Sequence, residues 1–163
     1  MAELIRGGKT DAEKKLLYLD VSPDGITEED FKELISFTAR NAASITYGFE
    51  GSVMTDGRKL VVTGETVKIT AENPAAADAV QMAYTIIIMG DTNSNGRNDS
   101  GDAVLMSKHY SSKNEQLTGY ALLAADMNQN GKVDSGDAVK NATKYQYLWK
   151  EEKYESALKS DEG

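Results

Sequence analysis

The chain has 163 residues, of which 26 are acidic, 18 are basic and 40% are apolar, and its formal net charge is −8. This length suits one ordinary domain or two small ones, and the negative charge disfavours nucleic acids and anionic membranes as partners. The absence of cysteine excludes disulfides and cysteine zinc sites, and a single histidine, His109, leaves little for a transition-metal site. No apolar run approaches the roughly 20 residues of a membrane-spanning helix, so we expect no membrane insertion.

The first half of the chain predicts short strands around one helix. Residues 16–21 predict a strand, and 27–30 resemble a capping box that opens a helix over 28–40, with Asn41 at its end. Apolar or alternating segments then predict further strands over 44–49, 52–55, 60–63 and 66–70, with Asp56 and Gly57 as a hairpin turn. Residues 84–89 form an apolar run typical of a buried central strand. We therefore expect residues 1–89 to form an α+β module, mostly β with one helix.

A repeat dominates the second half. Residues 91–110 align without gaps on residues 126–145 at an offset of 35, and eleven of the twenty positions are identical. Each copy is an acidic loop followed by a helical pattern, and a weaker helical pattern lies near 114–125. We expect an all-α module of two loop–helix repeats over 90–150, and a polar C-terminal tail over 151–163.

The two loops have the spacing of calcium-binding loops. Oxygen-bearing side chains stand at positions 1, 3, 5, 9 and 12, glycine stands at position 6 (Gly96 and Gly131), and position 7 would lend a backbone carbonyl. The candidate ligands are Asp91, Asn93, Asn95, Arg97, Asp99 and Asp102 in the first loop, and Asp126, Asn128, Asn130, Lys132, Asp134 and Asp137 in the second. Position 12 is aspartate where the usual motif has glutamate, so the following helix must come closer to the ion.

Electrostatics explain why these loops need a cation. Each loop gathers three carboxylates, and two unit charges about 4 Å apart repel by roughly 4 kcal/mol at the effective dielectric of a protein surface. Seven flexible oxygens suit Ca²⁺ better than Mg²⁺, which demands tighter octahedral geometry. We therefore predict two bound Ca²⁺ ions.

The residues of these loops resemble those of a known protein family. The duplicated half EF-hand, the Gly90-Asp91-Thr92-Asn93 opening, aspartate at position 12 and the Ala-Val helix start resemble the dockerin module of cellulosome-like assemblies. The resemblance implies an extracellular or cell-surface location, and calcium-dependent docking onto a cohesin module of a scaffolding or anchoring protein. It also makes residues 1–89 look like the X modules that precede some dockerins. Asn98 departs from the family pattern, because position 8 of the loop is usually apolar, like Val133 of the second loop.

The resemblance implies which residues contact cohesin, and the sequence predicts the orientation of docking. Since the two helices differ along their surfaces, we expect one dominant docking orientation, with the more apolar first helix contributing the central contact around Leu105 and Met106. An equally open alternative is that these two side chains are buried against the first module. We expect His109 to be an exposed helix residue or an interface contact. The candidate contacts are Ser100, Gly101, Leu105, Met106, Ser107, Lys108, His109, Ser135, Gly136, Ala142 and Thr143.

Other functions remain as alternatives. A calcium sensor or buffer would need paired entering helices and a methionine-rich cleft, whereas a strand-like run precedes the first loop. A calcium-rigidified carbohydrate-binding or adhesion module is also open. We find no nucleophile elbow, phosphate loop or zinc-protease helix, so we do not expect an enzyme.

Overall fold

The computed structural model describes residues 2–39, 42, 44–73, 78–111 and 117–144, and all statements below concern these residues. The strands are β1 (Ala2–Arg6), β2 (Lys9–Asp11), β3 (Leu16–Leu19), β4 (Ser36–Ala39), β5 (Ser44–Glu50), β6 (Val53–Thr55), β7 (Arg58–Leu60), β8 (Thr66–Asn73) and β9 (Asp78–Ile88). The helices are α1 (Glu28–Leu34), α2 (Ser100–Ser111), α3 (Gly119–Ala125) and α4 (Ser135–Thr143). A β-rich first half with one helix is thus followed by a helical second half.

A five-stranded mixed sheet organises the molecule. Its strand order is β2-β3-β9-β8-β5, with β3 and β9 parallel and the other neighbours antiparallel. Two separate antiparallel pairs, β1 with β4 and β6 with β7, complete the strands. The apolar end of β9 lies in the middle of the sheet, which confirms the predicted buried central strand.

One face of this sheet carries the core of the first half. Successive strand residues point to opposite faces, so Leu17 and Leu19 of β3 share a face with Ile86 and Ile88 of β9. Helix α1 covers that face through Phe31, which is fully buried and makes edge-to-face contacts with the rings of β5. These contacts anchor α1 to the sheet.

The opposite face of the same sheet completes the core of the second half. Leu16 and Ile87 point to this side and pack in one buried cluster with Met106 of α2 and Ala124 of α3. At the end of β9, the Gly90 N–H donates to the Ala124 carbonyl at 2.8 Å. The end of β9, where the chain leaves the sheet for the first loop, is therefore packed against the helices of the second half.

The predicted helix over 28–40 is correct at its start and wrong in its length. The Thr27 Oγ1 accepts from the Asp30 N–H at 3.2 Å and the Asp30 carboxylate accepts from the Thr27 N–H at 3.0 Å, which confirms the capping box. The helix ends at Leu34 because Ile35 is extended and the next residues form β4. Burial of Phe37 from that strand outweighs the local helical spacing. Asn41, the expected helix end, lies outside the described residues.

The strand predictions hold for most segments. The segments 16–21, 44–49, 52–55 and 66–70 correspond to β3, β5, β6 and β8, and Asp56 and Gly57 both have positive φ in the hairpin turn. The segment 60–63 is wrong, because β7 ends at Leu60 and the following N–H groups bind elsewhere: Val61 donates to the Ile26 carbonyl. Strands β1 and β2 were not predicted.

The remaining predictions concern the second half. A helix near 114–125 is confirmed as α3, which starts at Gly119, while residues 112–116 lie outside the described part. The tail over 151–163 also lies outside it. In the described part of the chain, none of the helices has the length and apolar character that crossing a bilayer demands.

Candidate functional site

The two repeated loops occupy different places in the fold. The first loop, residues 91–102, follows central strand β9 and leads into α2. The second loop, residues 126–137, follows α3 and leads into α4. The expectation that each loop has only an exiting helix is therefore wrong for the second loop, because α3 ends directly before Asp126.

Backbone N–H groups hold the oxygens of the first loop together. The Asn95 N–H donates to Asp91 Oδ1 at 3.0 Å and lies 3.2 Å from Asn93 Oδ1, so positions 1 and 3 present oxygens to one point. The second oxygen of Asp91 accepts from the Gly96 N–H at 3.1 Å, and Asn95 Oδ1 accepts from the Arg97 N–H at 2.9 Å. The chain therefore curls around these side chains.

Aspartate at position 12 closes the first loop. Asp102 Oδ1 accepts from the Thr92 N–H at 2.8 Å and from the Asn93 N–H at 3.2 Å, while Oδ2 accepts from the Asp99 N–H at 2.9 Å. One carboxylate thus joins the start of the loop to the start of α2. The aspartate side chain is therefore long enough to reach the backbone of the loop from the first turn of α2.

The same hydrogen bonds recur in the second loop. Asn130 N–H donates to Asp126 Oδ1 and lies within reach of Asn128 Oδ1, both at 3.2 Å. Asp137 Oδ1 accepts from the Asn128 N–H at 3.1 Å, and its Oδ2 accepts from the Asp134 N–H at 2.9 Å. Since these partners are offset by 35 residues from those of the first loop, the repeat in sequence is a repeat in structure.

The backbone of both loops turns through the left-handed region at matching places. Position 6 has φ of +83° at Gly96 and +89° at Gly131. Position 4 is also left-handed, with φ of +58° at Ser94 and +54° at Gln129. Glycine at position 6 is the residue that adopts such a conformation without steric cost.

Two carboxylates of the first loop are fully buried. Burial raises the pKa of Asp91 to about 6, against the lowering effect of the Thr63 and Gly96 N–H donors. Burial likewise raises the pKa of Asp102 to about 7, and the charge of Asp91 adds to that rise. Charging both groups is therefore costly in the protein alone, and a cation held between them would offset that cost.

The chemistry of the donor set fits calcium. Among the residues described, no three or more His, Cys, Asp or Glu side chains are grouped so as to hold a metal by themselves. Each loop would bind an ion only if its Asn amide oxygens and the carbonyl of position 7 joined its carboxylates. A set made only of oxygens, several of them neutral and adaptable, suits Ca²⁺.

The predicted partner contacts fall into two groups. The residues Ser100, Gly101, Lys108, Ser135, Gly136 and Thr143 are exposed, while Leu105, Ser107 and Ala142 are half-buried. Val104 and Val139, which were not among the predicted contacts, are 49% and 65% exposed. These two valines occupy equivalent positions on α2 and α4, since they are 35 residues apart.

Two predicted contacts need correction. Met106 is fully buried in the cluster beneath α2, so the alternative of burial against the first half is right for this residue. His109 is also buried, and its Nδ1 accepts from the Leu117 N–H at 3.1 Å. Both side chains therefore hold α2 in place and are not available to a partner. On the accessible side of the same helix, Val104 and Tyr110 are exposed.

The departure at position 8 has a structural counterpart that sequence reasoning missed. The side chains of Asn98 and Asn141 are buried, and neither amide has a hydrogen-bond partner among the residues that the structure describes. At the equivalent positions of the other repeat stand Val133 and Met106, which are both apolar. The signal was present in the sequence as a pair of polar replacements, although only the structure brings them together.

The comparisons agree with this geometry. Residues 89–140 match the family model described as the dockerin type I domain. No curated protein matches the chain, and no solved structure does. Dockerin type I domains bind calcium, dock onto cohesin partners without catalysing a reaction, and are typically extracellular or associated with the cell surface. The segment 89–140 of this chain is therefore similar in sequence to a dockerin type I domain.

Proposed function

We propose that this chain docks onto a cohesin module of a scaffolding or cell-surface protein, and that two bound Ca²⁺ ions are needed for this. In this proposal each loop and its exiting helix act as a half EF-hand. The observation that carries the proposal is the same set of hydrogen bonds around the oxygens of both loops. The complex would be of the cellulosome type and extracellular, which follows from the family and not from the fold.

The docking surface proposed is the outer side of α2 and α4. These helices pack against each other, and each begins with an exposed Ser-Gly pair and then presents an exposed valine. Exposed apolar side chains flanked by polar ones are typical of the centre of a protein interface. Val104 and Val139 therefore replace Met106 as the candidate central contacts, one on each helix.

We retain the proposal of one dominant orientation. The two helices still differ on their accessible sides, since α2 presents half-buried Leu105 where α4 presents exposed Lys140. Lys140 also donates to the Met127 carbonyl at 3.3 Å, which draws its side chain along the protein surface. The apolar character of α2 favours it as the dominant helix.

The division of the chain at 89/90 is part of the proposal. We infer that residues 1–89 serve as an X-module-like support for the dockerin, because one sheet supplies both cores. Lys144 adds to this support: its Nζ donates to Asp20 Oδ1 at 2.7 Å and to the Met89 carbonyl at 3.3 Å. A sensor that opens a groove is less favoured, because β9 leads into the first loop where a sensor has an entering helix.

Binding of the full chain to a panel of immobilised cohesins tests the proposal. We expect at least one cohesin to bind in calcium and to release the chain when a chelator is added. With one dominant orientation, Val104→Ser weakens binding by about tenfold or more while the matched variant Val139→Ser has little effect. Binding that persists in chelator, or a panel without any partner, would contradict calcium-dependent docking. Equal losses from the two variants would contradict the single orientation only.

A further inference from the structure

The first loop, unlike the second, is held by residues of the N-terminal half. The Thr63 N–H donates to Asp91 Oδ2 at 3.0 Å, and Asp91 is the first candidate ligand. Thr63 is itself fixed to the central strand, because its hydroxyl accepts from the Ile88 N–H at 3.0 Å and lies 3.3 Å from the Ile88 carbonyl. A ligand of the first loop is therefore positioned by a buried residue outside the repeat.

Two further hydrogen bonds fix the backbone of the first loop. The Thr55 hydroxyl donates to the Asn95 carbonyl at 2.8 Å, and the Asn98 N–H donates to the Pro23 carbonyl at 2.9 Å. Gly96 lies so close to the end of β7 that a Cβ there would be 2.8 Å from Leu60 Cβ and 2.8 Å from the carbonyl oxygen of the next residue, Val61. The hairpin of β6 and β7 and the turn before α1 thus enclose one side of the loop.

Charge pairing adds to this enclosure at position 7. Arg97 pairs with Asp56 of the hairpin turn and with Asp24, whose carboxylate lies 3.8 Å from the guanidinium. Its backbone carbonyl is the candidate ligand, while its side chain reaches the N-terminal half. Lys132, the equivalent residue of the second loop, is exposed.

Among the described residues, the oxygens of the second loop accept hydrogen bonds from N–H groups of the same loop, and its middle faces solvent, although Met127 and Asp137 near its ends are buried. The Asp126 carboxylate accepts from the Asn130 and Gly131 N–H groups of the same loop, at 3.2 and 2.8 Å. Residues 128–132 are all exposed, whereas Asp91 and Gly96 of the first loop are buried. The two loops share an internal pattern and differ in what surrounds them.

We propose that the two calcium sites are inequivalent, and that the ion in the first loop links the dockerin to the N-terminal sheet. This inference rests on the proposed binding of two Ca²⁺ ions. A loop whose ligands are already held in place loses less conformational freedom on binding, and partners of the ligands commonly change metal affinity by about 10–100-fold. The first site is therefore the tighter one, and its ion stabilises the region of Thr63 and Ile88. By linkage, the N-terminal half strengthens calcium binding by the same factor.

Matched variants at position 9 test the link in the full chain. Asp99→Asn and Asp134→Asn each remove one candidate carboxylate, and asparagine remains a good helix N-cap, so both helices keep their start. Hydrogen exchange at the Thr63 and Ile88 amides is measured with and without calcium, alongside calcium titration by calorimetry. We expect calcium to slow exchange at both amides in the unmodified chain and in Asp134→Asn, and to lose this effect in Asp99→Asn.

The affinity and the release kinetics of calcium provide two further readouts. In the unmodified chain we expect two dissociation constants that differ by about tenfold or more, and two phases of calcium release into a chelator. Arg97→Ala should weaken only the tighter site, while the control Lys68→Ala, which removes an exposed cation of β8 that pairs with Glu50, leaves both unchanged. Two ions of equal affinity, or equal loss of amide protection in the two Asn variants, would overturn this inference alone. Binding of no calcium would overturn it together with the proposed function.

Discussion

Asn98 and Asn141 lie against the same glycine. A Cβ built on Gly90 would be 2.5 Å from Asn98 Nδ2 and 2.7 Å from Asn141 Oδ1, so both amides crowd the point where β9 enters the first loop. Gly90 has a φ of +94°, a conformation that other residues rarely adopt. Two buried amides without hydrogen-bond partners are costly, since each such group typically costs about 1–3 kcal/mol.

Replacing Asn98 by its apolar counterpart should therefore stabilise the protein. We expect Asn98→Val to raise the free energy of unfolding by about 1 kcal/mol or more, measured by denaturant unfolding in saturating calcium. The matched control is Val133→Asn, which introduces the amide into the other repeat and should destabilise by a similar amount. A clear loss of stability in Asn98→Val would contradict the absence of partners.

Two neighbouring residues of α2 should separate core packing from docking. Met106 is fully buried, so Met106→Ala should cost about 2–5 kcal/mol of stability. Val104 is 49% exposed, so Val104→Ala should change stability by less than about 0.5 kcal/mol. Thermal unfolding in saturating calcium measures both. Equal destabilisation would show that the assigned orientation of α2 is wrong.

The buried Glu65 should make stability depend on pH. Burial raises its pKa above the ordinary value of 4.5, and although the Ser52 hydroxyl and the Val62 N–H oppose this, the nearby Glu28 adds to it. A carboxyl with a raised pKa in the folded state contributes stability below its ordinary pKa, and this is lost as pH rises through the folded value. Lys59 lowers the pKa, without reversing the direction.

Glutamine at this position should remove that dependence. Its carbonyl can still accept from Val62, and its amide can donate to Ser52. We expect the melting temperature of Glu65→Gln, relative to the unmodified chain, to rise as the pH increases above the ordinary pKa of 4.5. Glu72→Gln, on the exposed side of β8, is the control and should show no such trend. A flat difference for Glu65→Gln would contradict the raised pKa.

The capping box of α1 should be worth a measurable amount of stability. Thr27→Ala removes the oxygen that accepts from the Asp30 N–H and should lower the free energy of unfolding by about 1 kcal/mol. Thr27→Ser keeps the hydroxyl and should retain most of that stability. Chemical denaturation compares the three chains, and an alanine variant as stable as the serine variant would refute the role of the cap.

Local signals predicted well wherever local chemistry decides the structure. The capping box, the Asp56-Gly57 turn and the two loops each depend on residues a few positions apart, and all were placed correctly. The extent of α1 was predicted badly, since Phe37 gains more by burial in a strand than by continuing the helix. The exposure of α2 residues was also misjudged, because helical spacing does not say which side faces the sheet.

The repeat, its candidate oxygen ligands and its glycines could be predicted from sequence alone, because wrapping a short loop around a cation requires these residue types at these spacings. Only the tertiary structure decided that Thr63, Thr55 and Pro23 enclose one loop and leave the other open. These residues lie about 30 to 75 positions from the groups they contact, and a one-dimensional pattern carries no information about such long-range pairing. The difference between two loops with the same ligand spacing therefore arises from their surroundings in the fold.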